Sequence, residues 1–450
     1  MENLANWTDD IPLCKNAGIG SANNEIYRKD GKRLEMHPMQ DRYFHFSQED
    51  LQLSTYGLFD GFGGPGCADF AMKRMPVDLL LGQLSANSTD EAVKDTLRQA
   101  FLNVERDYIE SITESITSHM VMKFDTSVRS SNDPKLRRLE SILAVGTSAT
   151  VVVTVNQKLF VANVGDSPAV ICQLMPNGRV RALQLSCDHT LGNEDEVLRL
   201  AQVGLNQSDH LRLVQPGYTR CLGCHRVKGG YKDVPELSCA RDEPVLAEPE
   251  VQGGIPLDPS YQFLLIFSRS ITDCLSQVVS TETGDILSEL CRITADQFTE
   301  NTTLTGVAQS VVDKIVRMHR EQCETRTDSL TSCTSREDMS LLVRNFNAKL
   351  SLGRRKKVSQ DLIMSIATPS QDLLMTAHNE TIVSNPPRHR PTRSSTTTES
   401  SDVAVKVRDL PVDENGRIKP YVDFSHFNRE FANYKARNTL IPPLNGGTES

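Results

Sequence analysis

The residues from Cys221 to His225 read Cys-Leu-Gly-Cys-His, and two thiols and an imidazole at this spacing could attach a haem or hold a metal ion. Haem attachment requires export and a second axial ligand. A zinc site requires two more ligands, for which His189 and Cys239 are the candidates. The first residues show no signal-peptide pattern, so we do not expect export. We therefore favour a coincidental spacing over haem, and also over zinc, which stays open as the weaker alternative.

A second candidate for chemistry is Asp166, which follows the most apolar part of the chain. Residues 149–155 and 159–164 are two Val-rich runs separated by a short polar break, a pattern typical of a β-hairpin. The runs are apolar at nearly every position, so we expect both faces of the hairpin to be covered. The turn at residues 165–168 would then place the Asp166 carboxylate at the end of buried strands, which can position it rigidly.

Composition describes an ordinary globular chain. With 450 residues, 38% hydrophobic and 24% charged, it can form one large domain with extensions or two to three domains. The net charge of −9 argues against nucleic acid as the main partner. No segment approaches the ~20 apolar residues of a membrane span. The 11 cysteines are scattered and odd in number, which indicates reduced thiols and a cytoplasmic protein.

The stretch GTSATVVVTVNQKLFVANVGDSPAVIC, residues 146–172, resembles the signature of the metal-dependent PP2C-type serine/threonine phosphatases. Further segments in the family's order extend the resemblance from Trp7 to Phe346. It implies an α+β fold, a PP2C-like α/β/β/α sandwich of two antiparallel sheets flanked by helices, followed by a disordered tail. The predicted PP2C-like domain therefore covers residues 1–346.

The resemblance also implies a centre of two metal ions that hydrolyses phosphoesters, with ligands at Asp60, the Gly61 carbonyl and Asp338. Three positions depart from the family pattern. Ser21 replaces an Arg that grips phosphate, while Ile26 and Arg269 each replace a metal-binding Asp. Mg²⁺ and Mn²⁺ need hard oxygen ligands, and a fixed cation in place of an anion should weaken metal binding by several orders of magnitude.

We therefore predict a pseudophosphatase that uses no metal or other cofactor. Arg269 is expected to form a salt bridge with Asp60 or Asp338 where the metal ions would lie. The alternative is a weakly active metal-dependent Ser/Thr protein phosphatase, in which the carboxylates of Glu25 and Asp273 compensate for the lost ligands.

The composition changes after the predicted domain. Residues 347–415 are rich in Ser, Thr and Pro and predict a disordered linker. Within it, the basic cluster and alternating apolar residues between Arg354 and Ile366 resemble a docking peptide for mitogen-activated protein kinases. A solvated basic run is the alternative, and it is favoured because such patterns often arise by chance.

A C-terminal segment, residues 416–436, is predicted to be an amphipathic helix that enters a groove on a partner. Its aromatic residues are spaced by 3, 4 and 3, which places them on one stripe. Folding back onto the main domain is the less favoured alternative. The segment resembles the kinase-binding helix of pseudophosphatase subunits that bind a TGF-β-activated MAP3 kinase. This resemblance implies an adaptor that contacts the kinase catalytic domain and promotes its autophosphorylation in stress and innate immune signalling. The expected contact residues are Tyr421, Val422, Asp423, Phe424, Phe427, Phe431 and Tyr434.

Overall fold

A computed structural model describes residues 11–28, 30, 32–81, 84, 87–124, 133–205, 217–279, 285–325 and 335–351. The predicted helix at 416–436 and the docking peptide at 354–366 lie outside these residues, as does nearly all of the predicted linker at 347–415. Among the described residues, no helix is both long and apolar enough to cross a bilayer.

The described strands form two antiparallel sheets and one small two-stranded ladder. Sheet I has the order β10-β6-β5-β4-β3, with β9 paired to β5; sheet II has the order β1-β13-β11-β7-β8; β2 pairs with β12. The strands are β1 (Ala17–Ala22), β2 (Glu25–Ile26), β3 (Arg42–Gln48), β4 (Leu53–Phe62), β5 (Gly146–Val155), β6 (Lys158–Val164), β7 (Ala169–Leu174), β8 (Val180–Gln184), β9 (Leu222–Gly223), β10 (Glu250–Pro256), β11 (Tyr261–Phe267), β12 (Ser335–Arg336) and β13 (Met339–Asn345).

Helices cover the outer faces of the two sheets. The outer face of sheet I packs on α1 and α2, that of sheet II packs on α6, α7 and α8, and a third apolar cluster fills the space between the sheets. This arrangement confirms the predicted α/β/β/α sandwich. The helices are α1 (Gly66–Leu80), α2 (Asp90–Ser111), α3 (Thr113–Phe124), α4 (Pro134–Leu143), α5 (Glu194–Gln202), α6 (Arg269–Val278), α7 (Ile286–Glu300) and α8 (Leu304–Thr325).

The predicted central hairpin is formed by β5 and β6. Every residue of β5 is buried, and only Lys158 of β6 is partly exposed, as expected for strands with packing on both faces. Asn156 and Gln157 form the turn with φ of 53° and 58°, the left-handed backbone that a tight two-residue hairpin requires. β7 follows the turn at Asp166 but lies in sheet II, so this turn carries the chain from one sheet to the other.

Polar side chains cap helices α2 and α5. The Thr89 hydroxyl accepts a hydrogen bond from the backbone N–H of Ala92 at the start of α2, at 3.2 Å. The Asn193 side chain accepts one from the Asp195 N–H at the start of α5, at 3.0 Å. The polar stretch between α2 and β5 forms two helices, α3 and α4, which pack against each other and extend the helical layer of sheet I.

Candidate functional site

Four predicted site residues lie at the ends of elements in both sheets. Asp60 is near the end of β4, Asp166 is in the turn after β6, Asp338 directly precedes β13, and Arg269 is the first residue of α6. The backbone N–H of Arg269 donates to Oδ2 of Asp60 at 3.2 Å. The sandwich therefore brings residues that are far apart in the sequence to one place, which we call the acidic cluster: Asp41, Asp60, Asp166 and Asp338.

The Arg269 side chain contacts two carboxylates. Its Nη1 lies 3.1 Å from Oδ2 of Asp166, and its Nε lies 2.8 Å from Oδ1 of Asp273. The predicted salt bridge to Asp60 or Asp338 is therefore wrong, because the side chain turns to Asp166 and only the backbone reaches Asp60. A cation at the first turn of a helix opposes the helix dipole, so these two carboxylates offset an unfavourable position.

Asp338 is held by backbone and side-chain donors. Its Oδ1 accepts hydrogen bonds from the backbone N–H and the side-chain amide of Asn24, at 2.7 and 2.9 Å. Its Oδ2 accepts one from the Gln40 N–H at 2.8 Å. The carboxylate is buried, and it fastens the loop before β3 to the start of β13.

Asp41 is a member of the cluster that the sequence analysis missed. It is 2% exposed, and among the described residues neither of its carboxyl oxygens has a hydrogen bond of ordinary geometry. A Cβ at Gly61 would lie 2.6 Å from the Gln40 carbonyl oxygen, so the glycine allows the chain before Asp41 to pass close to Asp60. Asp41 directly precedes strand β3, and no local pattern in the sequence marks it as part of this site.

Burial and mutual repulsion favour protonation of three members of the cluster, Asp41, Asp60 and Asp166. The pKa of Asp41 is raised to about 7, mainly by burial, opposed by the Ser340 hydroxyl and increased by Asp338. Burial, then Asp41 and Asp166, raise the pKa of Asp60 well above its usual range. Burial raises the pKa of Asp166 to about 6, although Arg269 and a hydrogen bond with Tyr218 lower it. The site therefore carries more acids than one guanidinium can neutralise.

Two of the predicted replacement residues lie elsewhere. Ile26 pairs with Ser335 in the two-stranded ladder, and its neighbour Glu25 accepts two hydrogen bonds from Arg320, both at 2.7 Å. The backbone N–H of Ser21 donates to the Gln309 side chain of α8 at 3.0 Å. Asp41 and Asp166 are the acids that raise the pKa of Asp60, so a second carboxylate lies beside Asp60 although Ile26 supplies none.

The Cys-Leu-Gly-Cys-His segment surrounds a buried ion pair. Cys221 and Cys224 are buried, and burial raises the pKa of the Cys224 thiol to about 11. Nearby, Nζ of Lys228 lies 2.6 Å from Oε1 of Glu105 and 2.7 Å from the Cys221 carbonyl oxygen. In the part of the chain that the structure describes, no three Asp, Glu, His or Cys side chains are grouped to hold a metal ion. The zinc alternative therefore gains no support here.

A family comparison decides the ancestry of this fold. The family model "Protein phosphatase 2C" matches residues 28–323, which is more than half of the chain. The chain belongs to the protein phosphatase 2C family. Among curated relatives in the family, "TGF-beta-activated kinase 1 and MAP3K7-binding protein 1" of Caenorhabditis elegans is 26% identical over 344 residues, covering 75% of this chain and 82% of the relative.

Other members of the phosphatase 2C family match at similar identity. "Probable protein phosphatase 2C 4" of Paramecium tetraurelia is 25% identical over 278 residues, covering 62% of this chain and 81% of the relative. The crystal structure of a serine-threonine phosphatase 2C from Toxoplasma gondii aligns with a TM-score of 0.47 and 14% identity, covering 74% of this chain and 96% of that one.

The phosphatase 2C fold implies two divalent metal ions, and the residues of this site can be tested against that expectation. Asp41, Asp60 and Asp338 supply carboxylates, and the free oxygens of Asp41 could accept a cation. Against this, both oxygens of Asp338 already accept hydrogen bonds, and the Arg269 guanidinium lies against Asp166. A guanidinium donates only and cannot ligate a cation. The residues present therefore do not fit a two-metal centre.

Proposed function

We propose that this chain is a pseudophosphatase adaptor that binds and activates a TGF-β-activated MAP3 kinase. The observation that carries the non-catalytic half of the proposal is the Arg269–Asp166 pair, at 3.1 Å, inside the acidic cluster. This cation repels divalent ions. The other members of the cluster offer a phosphate group no positive charge, and Ser21, which the sequence analysis assigns to the position of the phosphate-gripping Arg, is uncharged.

The kinase-binding half of the proposal rests on similarity and on a sequence pattern. The C. elegans relative is named for binding TGF-beta-activated kinase 1 and MAP3K7, and this chain covers 82% of it. The aromatic stripe of Phe424, Phe427, Phe431 and Tyr434 provides an apolar face of the kind that helix-binding grooves accept. The adaptor would act in the cytoplasm, through this stripe.

An autophosphorylation assay tests the adaptor proposal. The kinase catalytic domain would be incubated with ATP and either the full chain or a chain that lacks residues 416–434. We expect the full chain to stimulate autophosphorylation and the truncated chain to lose the effect. The proposed docking of a mitogen-activated protein kinase is tested separately, by measuring its binding to a third chain that lacks residues 354–366. This deletion leaves the aromatic stripe intact. Equal stimulation by the full and truncated chains would reject the assigned kinase-binding segment.

The alternative, a weakly active metal-dependent Ser/Thr phosphatase, is favoured by one observation. Asp41 is buried beside Asp60, and among the described residues its oxygens have no hydrogen bond of ordinary geometry. Hydrolysis of a phosphopeptide with added Mn²⁺ would support this alternative, if an Asp60→Asn variant abolished it. Activity that survives that substitution would come from a contaminant.

A further inference from the structure

A cavity of about 390 Å³ lies between α3, α4 and the segment of residues 225–235. It shares no lining residue with the acidic cluster. Its volume lies in the range of small-molecule sites, which combine apolar walls with a few convergent polar groups.

The walls of this cavity are apolar. Ile116 comes from α3, Leu136 and Leu143 come from α4, and Val234 comes from the facing segment. Leu143 is 5% exposed and Val234 is 3% exposed, whereas Met120, which also lines the cavity, is 53% exposed. An apolar chain packed against these side chains would therefore leave water.

The polar side chains that line the cavity include more hydrogen-bond donors than acidic acceptors. Nζ of Lys123 lies 2.6 Å from Oδ1 of Asp233, so these two charges neutralise each other. His119, His225 and Arg226 also line the cavity, and within the described residues their side chains have no hydrogen-bond or ion-pair partner. Glu140 is the acid that remains on the rim.

The position of His225 depends on a glycine. A Cβ at Gly229 would lie 2.4 Å from Cε1 of His225, so only glycine leaves room for the imidazole there. The pKa of His225 is lowered by burial first, with Glu105 and Asp233 raising it and His119 and Lys228 lowering it. An anion beside His225 would favour its protonated form.

We propose that this cavity binds a small amphiphile with an apolar tail and a carboxylate headgroup. The tail packs against Ile116, Leu136 and Leu143. The headgroup lies among His119, His225 and Arg226, where it accepts hydrogen bonds from side chains that otherwise have none. A cationic headgroup would have Glu140 alone as a partner.

Calorimetric titration of the full chain with octanoate and with 1-octanol tests this assignment. We expect saturable one-to-one binding of octanoate and at least about tenfold weaker binding of octanol, because the alcohol lacks the charge. Arg226→Gln should weaken octanoate about fivefold, as expected for an exposed ion pair, and leave octanol unchanged. Arg106→Gln, which removes an exposed Arg of α2 outside the cavity, is the matched control.

A second readout follows the imidazole itself. In NMR titrations, saturating octanoate should raise the pKa of His225, and octanol should not. Leu136→Trp fills the cavity at a partly exposed helix position and should abolish the binding of both ligands. Equal affinities for octanoate and octanol, an unchanged His225 titration, or full binding by the Leu136→Trp variant would each overturn the proposal.

Discussion

The guanidinium of Arg269 lies 3.1 Å from Oδ2 of Asp166, so a cation contacts the carboxylate in the turn that follows the central hairpin. Asp166 is 5% exposed, and Asp60 and Asp273 also contact Arg269, through its backbone N–H and its Nε. One cationic residue is thus in contact with three carboxylates.

Reversing that charge should restore metal binding. Two unit charges about 4 Å apart exchange roughly 4 kcal/mol at an effective dielectric of 20, and a dication doubles the interaction. After allowance for the partial exposure of Arg269, we expect Arg269→Asp to tighten Mn²⁺ binding roughly a hundredfold or more, as measured by calorimetry. Arg292→Asp is the matched control, since Arg292 on α7 is also paired with two carboxylates. Tight, stoichiometric Mn²⁺ uptake by the unmodified chain would contradict the pseudophosphatase proposal.

Truncating one aromatic side chain of the C-terminal stripe should weaken kinase binding. Phe427→Ala is expected to cost roughly 2–4 kcal/mol, as for a buried aromatic residue at the centre of an interface. Fluorescence titration of the kinase catalytic domain with full-length variants measures this change. Ser425→Ala, on the side of the predicted helix that faces away from the stripe, should bind normally. If both variants bind like the unmodified chain, the stripe is not the contact surface.

Removing the Asp338 carboxylate should destabilise the domain. Three N–H donors from Asn24 and Gln40 point at this buried group, and each would lose its partner. We expect Asp338→Ala to lower the free energy of unfolding by about 3 kcal/mol or more, measured by urea denaturation. Asp296→Ala removes a half-exposed carboxylate paired with Arg292 and should cost under about 1 kcal/mol. Similar losses in the two variants would show that Asp338 does not fasten the loop.

His189 should make the domain less stable in mild acid. Burial, then Arg220, lower its pKa from 6.5 to about 4 in the folded chain. Below pH 6.5 the unfolded chain therefore binds a proton at His189, whereas the folded chain binds it only below about pH 4. Stability present above pH 6.5 is therefore lost as the pH falls, by up to about 1.4 kcal/mol per pH unit.

The His189→Asn variant isolates this effect, because acids such as Asp166 titrate in both proteins. The difference in unfolding free energy between the variant and the unmodified chain should shrink as the pH falls from 6.5 to 4. His37→Asn, which removes a histidine whose pKa is raised, should not flatten the profile in that way. A constant difference across this range for His189→Asn would show that the imidazole is not kept neutral.

Local patterns in the sequence were enough to predict the hairpin β5–β6, because it depends on residues within a few positions. Asp41 could not be found in this way. Its place depends on Asn24, whose side-chain oxygen accepts the Met36 N–H at 2.7 Å and whose amide reaches Asp338 across the fold. Residues 24–26 resemble the family motif in sequence, and only contacts between distant parts of the chain show that Asp41 lies beside Asp60.

The partners of Arg269 likewise could not be predicted from local sequence patterns. The sequence places it at the end of a buried strand, opposite several acids. Which acid it meets depends on the turn after β6 and on the first turn of α6, which come from different parts of the chain. Tyr218, a residue that carries no recognisable motif, also lowers the pKa of Asp166.

The three apolar clusters are built from the interiors of strands and helices, whereas Asp60, Asp166, Arg269 and Asp338 stand where those elements end. Ancestral mutations at such positions could exchange an acid for a base without disturbing the packing that folds the chain. A lineage could thus lose catalytic activity through a single substitution and keep a folded domain on which other contacts evolve.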